Sequence, residues 1–82
     1  MKRQFLVVGL GRFGVSLALL LEEMGGEVMA VDCREQAVSE VADRVTHSLI
    51  ADTTDERVVK ELGVEQFDEV ICAIGGAIEG SL

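Results

Sequence analysis

Proline, tryptophan and tyrosine are missing from this chain, histidine occurs once, cysteine twice, and lysine and arginine together number seven. Each scarcity closes a class of function. Seven basic residues against fifteen acidic ones, a net charge of −8, cannot form a stripe that tracks phosphates, so direct binding of nucleic acid is not expected. Cys33 and Cys72 lie far apart and lack the spacing of metal ligands, which points to reduced thiols of a cytosolic protein. The one histidine, His47, has no acid or serine placed to work with it and reads as a half-exposed strand residue. With no triad, metal cluster or paired carboxylates in view, no chemistry on a substrate is expected. The longest apolar stretch, Val15 to Leu21, is interrupted by Ser16 and is far too short to span a bilayer. The amino terminus runs straight into a strand rather than into a signal peptide.

What is present is the composition of one small globular domain: 82 residues, 49% hydrophobic and 27% charged. A domain of this size buries only roughly 60–65% of its unfolded surface, so pairing with something else is expected. The nine glycines sit mostly at element ends rather than in a linker, and they punctuate a regular alternation. Gln4 to Val8 is apolar on both faces, the mark of a central parallel strand. From Arg12 to Met24, Phe13, Leu17, Leu20, Leu21 and Met24 recur at helical spacing, with Val15, Ala18 and Leu19 broadening the stripe, and Gly25-Gly26 ends the helix.

Glu27 to Val31 forms a second strand closing at Asp32, and Arg34 to Asp43 a second helix with Ala37, Val38, Val41 and Ala42 inward. Thr46 to Ala51 is a third strand. Thr53-x-x-Glu56 reads as a capping box opening a third helix, which buries Val58, Val59 and Leu62 and stops at Gly63. Phe67 packs in the next loop, Glu69 to Ile74 is a fourth strand, and Gly75-Gly76 leads into the start of a fourth helix from Ala77. The order βαβαβαβ, with right-handed crossovers, predicts an α/β fold: a Rossmann-type parallel sheet in the order 3-2-1-4, the truncated half of a doubly wound domain. An apolar fourth strand with no cover suggests a fragment.

The chemistry gathers at Gly9, Gly11 and Gly14, the G-x-G-x-x-G of GLGRFG between the first strand and the first helix. In that setting Gly9 makes the tight turn, Gly11 lets the backbone approach a diphosphate, and Gly14 lets helix and strand pack closely. The diphosphate would sit on the helix amino terminus, where N–H groups and the macrodipole favour anions. Asp32 follows at about the distance, roughly 20 residues, of the acid that accepts from a ribose diol. A carboxylate there repels a 2′-phosphate and disfavours NADP against NAD, ATP or ADP; its alternative role is to cap the second helix. Arg12, inside the glycine loop, can reach terminal phosphates or a partner subunit, or simply lie exposed at the helix start. Arg34 reads as a solvated helix-start residue. Asp52 and Thr53 follow the third strand at the edge where open α/β sheets bind ligands. Phe13, Cys33, Ile74 and Gly75 complete the expected cofactor-binding set, and Cys33 beside Asp32 is a further candidate for redox sensing.

With GLGRFG, Asp32, the ADTTD segment (51–55) and VICAIGG (70–76) located, the chain resembles the amino-terminal nucleotide-binding subdomain of the RCK (TrkA-N/KTN) family, in particular the cytosolic gating subunits of Ktr-type potassium uptake systems. The resemblance covers the whole chain but only somewhat over half of such a subdomain. It implies a ligand-gated regulator rather than an enzyme. NAD(H) or ATP/ADP would bind in the glycine crevice. Subunits would pair as homodimers and assemble into an octameric ring on the cytoplasmic side of a membrane potassium channel or transporter. By position, Gly9, Gly11, Arg12 and Gly14 would serve the phosphates, Asp32 the ribose, and Asp52 and Thr53 the adenine. Gly75-Gly76-Ala77 departs from the family pattern, which commonly has asparagine where Ala77 stands. The competing reading is the cofactor half of an NAD-dependent dehydrogenase, whose general acid or base and nicotinamide pocket would have to lie outside these residues.

Overall fold

The computed structural model describes residues 2–73. Four parallel strands form one sheet in the order β3-β2-β1-β4, comprising β1 (Gln4–Val8), β2 (Glu27–Asp32), β3 (His47–Ile50) and β4 (Glu69–Cys72). Between them run α1 (Arg12–Glu23), α2 (Glu35–Val41) and α3 (Glu56–Leu62), the last followed by a short 3-10 turn, Val64–Gln66. β1 pairs on both sides, with Val8 opposite Val31 of β2 and Cys72 of β4. That explains why its run is apolar on both faces: Leu6 and Val7 are wholly buried, on opposite sides of the sheet. Val7, Val28 and Ala30 form one core with α1 and α2; Leu6, Val8 and Val31 form the other with Leu62, Val64 and Phe67. The expected topology is observed.

Three expectations on local structure are corrected. The expected stripe of Phe13, Leu17, Leu20, Leu21 and Met24 is only partly the buried side of α1: Gly14 and Ala18 are buried and Leu21 packs against the core, while Phe13, Leu20 and Met24 are 39%, 52% and 74% exposed. Apolar residues occur almost all round this helix, so periodicity alone cannot choose a face. The small residues choose it, because they allow the helix axis to approach the strands. A Cβ at Gly14 would overlap the carbonyl oxygen of Gly9.

The second correction concerns α3. Its cap is Asp55, whose carboxylate accepts from the Arg57 N–H at 2.9 Å, not Thr53. Asp52 closes a turn of its own by accepting from the N–H and hydroxyl of Thr54, at 3.0 and 2.6 Å. The helix therefore starts later, and Glu56 falls at its first position rather than its third, so the reciprocal bond of a capping box is not available. Thirdly, Val58, Val59 and Leu62 are only half-buried. Element ends are trimmed by one or two residues, as at β3 and α2. Ile74, Gly75, Gly76 and the expected fourth helix lie outside the described residues.

Glu22 ties the carboxyl end of α1 to β2 and to the residue just before β3. Its carboxylate accepts from the Val28 N–H at 3.2 Å and from the Thr46 N–H and hydroxyl at 2.7 and 2.8 Å. Burial pushes the Glu22 carboxyl up, but the Thr46 and Val28 bonds outweigh it and hold the group below its ordinary range.

Candidate functional site

In a parallel sheet all strands end on one side, and the first three here end in segments that meet there. β1 ends at Gly9, with φ 94°, a left-handed conformation that side chains rarely adopt. Its N–H donates to the Val31 carbonyl at 2.8 Å, which holds the turn against β2. The chain then enters α1 from Gly11, with no side-chain cap and no acid in the first turn. The first N–H groups of a helix lack partners within it, so this end carries partial positive charge.

A crevice of about 410 Å³ opens beside this turn, lined by residues 9–11, 32–34 and 51–54, with Val8 and Ala73 supplying apolar surface. That volume lies within the range of small-molecule sites. Of the residues expected to form a site, Gly9, Gly11, Asp32, Cys33, Asp52 and Thr53 line it together. Arg12 and Phe13 lie exposed on the first turn of α1, and Gly14 is buried beneath, so these three are not part of the lining. Ile74 and Gly75 are outside the described residues.

Asp32 is the electrostatic centre of the crevice and is 6% exposed. Its Oδ2 accepts from the Leu10 N–H at 2.7 Å, and its Oδ1 from the Arg34 N–H at 2.8 Å. The Arg34 guanidinium completes the set, donating from Nε to Oδ1 at 3.0 Å and from Nη2 to Oδ2 at 3.1 Å. The Arg34 guanidinium, helped by the Leu10 and Arg34 N–H groups, outweighs burial and holds the Asp32 carboxyl far below the usual carboxylate range. Asp52 is also lowered, by the hydroxyl and N–H of Thr54.

Two of these partners escaped the sequence reading. Arg34 is exposed at the helix start as expected, but its guanidinium also pairs with Asp32. Leu10 carries no chemical signal, because what matters is its backbone N–H. Asp32 does bond the backbone at the start of α2, but the N-cap position itself is Arg34 and has no side-chain cap.

The depressed Asp32 carboxyl makes a prediction about acid. An unfolded aspartate titrates near pH 4, above the folded group, so this contribution to stability is complete above about pH 4. It is lost as the pH falls from there towards the folded value. The stability difference between the wild type and Asp32→Asn, from urea unfolding, should be constant at neutral pH and narrow in acid. A difference that stays the same from neutral to acid would contradict the hydrogen-bonding described.

A parallel sheet in this order, with a glycine turn and an acidic strand end lining one crevice, defines a Rossmann-type α/β domain. The chain belongs to the TrkA-N domain family, matching its model over residues 5–81. TrkA-N domains bind nucleotides. It is 51% identical over 82 residues to the Ktr system potassium uptake protein C of Bacillus subtilis, covering 100% of this chain and 37% of that protein. It is 47% identical over 79 residues to the Ktr system potassium uptake protein A of the same organism, covering 96% of this chain and 36% of that protein. With the protein A of Vibrio alginolyticus it shares 40% identity over 80 residues, 98% of this chain and 36% of that one. The chain thus spans little more than a third of the length of these relatives.

Proposed function

We propose that this chain is the nucleotide-binding part of a regulatory subunit of a potassium uptake system, and that it performs no catalysis itself. An adenine nucleotide, NAD(H) or ATP/ADP, occupies the crevice. Its phosphates lie on the Gly9–Gly14 turn, its ribose is held by Asp32 and its adenine lies near Asp52 and Thr53. Arg12 serves a terminal phosphate, while Phe13, Cys33, Ile74 and Gly75 border the ligand. The working protein is cytoplasmic, pairs as a homodimer within an octameric ring, and docks at the inner face of the membrane on a potassium channel or transporter. Exchange of one nucleotide for another changes how paired subunits sit and so changes the gate.

The observation that carries this reading is the meeting of the glycine turn, the uncapped start of α1 and the buried Asp32 at one end of a parallel sheet. Anions favour such a helix start and diols favour such a carboxylate. The Ktr names of three relatives favour potassium uptake over a dehydrogenase.

Calorimetric titration with NADH, ATP and ADP tests the proposal. At least one should bind in the micromolar range, and Arg12→Ala should weaken ATP more than NADH. No binding by any of the three would overturn the reading; equal losses would remove the terminal-phosphate role of Arg12.

A further inference from the structure

The Asp32 carboxylate has a ligand role in the reading above, yet its acceptor capacity is already used. A carboxylate offers about four lone-pair positions. Four donors meet them here: the Leu10 N–H, the Arg34 N–H, and Nε and Nη2 of the Arg34 guanidinium. The four are not equivalent. The two backbone donors are fixed by the turn after β1 and by the entry to α2, so they cannot leave without unfolding local structure. The guanidinium sits at the end of a flexible side chain that is 61% exposed, and only it can be exchanged for another donor.

We propose that Arg34 is a competitor of the ribose: its guanidinium holds the two Asp32 acceptor positions that a ribose diol needs, and it must swing aside for the diol to bind. The inference rests on the nucleotide reading of the crevice and adds a residue to it. The exchange is balanced in hydrogen bonds, since two N–H donors leave the carboxylate and two hydroxyl donors replace them. The guanidinium, 61% exposed, moves into water while the buried carboxylate stays fully hydrogen-bonded to the diol, so the net cost of displacement is about three- to fivefold in an equilibrium constant. That is small enough for a nucleotide to overcome. The competitor thus lowers the affinity for a ribose diol relative to a ligand without hydroxyls, and it keeps the buried carboxylate paired when no diol is bound.

The test uses nucleosides, which have no phosphates for Arg34 to attract. Adenosine and 2′,3′-dideoxyadenosine are titrated by NMR into the full chain, its Arg34→Ala variant and its Arg34→Met variant. Met retains much of the apolar stem. Both variants should bind adenosine about three- to fivefold more tightly than the wild type, with dideoxyadenosine unchanged. Unchanged or weaker adenosine binding by the variants overturns the proposal, as does an equal gain for dideoxyadenosine, which would show a general effect on the crevice. If adenosine, NADH, ATP and ADP all fail to bind the wild type and both variants, the nucleotide reading itself falls and the competitor falls with it. Wild-type binding with no gain in the variants removes only the competitor.

Discussion

Gly14→Ala is expected to cost about 3 kcal/mol of stability, the upper end for overpacking a core, while Gly11→Ala leaves stability within about 1 kcal/mol of wild type. The two glycines belong to one motif but meet different surroundings. A Cβ at Gly14 would overlap the Gly9 carbonyl oxygen, and the Gly9 carbonyl carbon would lie 3.0 Å away. That neighbour is backbone at the tightest point of the turn, so it cannot rotate away as a side chain can, and α1 must lift off β1. A Cβ at Gly11 meets nothing within 4 Å, and its backbone, at φ −74°, suits any residue. A domain of this size has of the order of 4–12 kcal/mol in total, so the Gly14 variant loses a large share. Urea unfolding of the two variants side by side measures the contrast. Similar losses at both positions would mean that the close approach of α1 to the turn does not govern stability. Under the proposed function, Gly11→Ala should instead weaken nucleotide binding, because open space there is what a diphosphate would use.

Asp32→Ala is expected to lower stability by about 2 kcal/mol and to weaken nucleotide binding by about tenfold. The stability loss comes mainly from one donor. Leu10 is 3% exposed, and its N–H, bonded to Oδ2 at 2.7 Å, would be left unpaired in the core; such a group costs about 1–3 kcal/mol. The Arg34 guanidinium adds less than its bonds to Asp32 suggest, because it is exposed and regains water when its partner is removed. Under the proposed function the binding loss follows from the ribose hydroxyls, which would lose a charged acceptor worth about 1.5–3 kcal/mol, or roughly tenfold or more. Chemical denaturation and calorimetry at neutral pH separate the two effects, provided that the variant is fully folded during titration. Lower stability with unchanged nucleotide affinity would make Asp32 a brace for the turn after β1 and remove its ribose role.

Much of this molecule could be read in its residues. The two-faced apolar run at β1 meant a central strand, and glycines at its end meant a turn with little bulk. The crossovers were long enough to hold helices and so to join parallel strands, and this alternation with its glycine turn matched a Rossmann half, whose strand order is 3-2-1-4. Asp32 at the end of β2 was legible as a residue lining the crevice because strand ends in such sheets gather on one side. The face of α1 was not legible, since its apolar residues surround the helix. The start of α3 was misread because Thr53 and Glu56 matched a capping pattern, whereas two nearby aspartates, Asp52 and Asp55, held the local backbone instead.

By itself, then, the sequence determined the alternation of elements and the place of the glycine turn, both set by local periodicity and short-range chain geometry. The strand order followed from the Rossmann pattern they match. Only the tertiary structure decided which side of α1 meets the sheet, that Glu22 reaches Val28 and Thr46, and that Asp32 is shared between the Leu10 N–H and the Arg34 side chain. Those outcomes depend on how closely docked elements approach one another. A backbone N–H becomes a specific partner only when packing brings it within hydrogen-bonding distance of a buried carboxylate, and no residue type announces it beforehand.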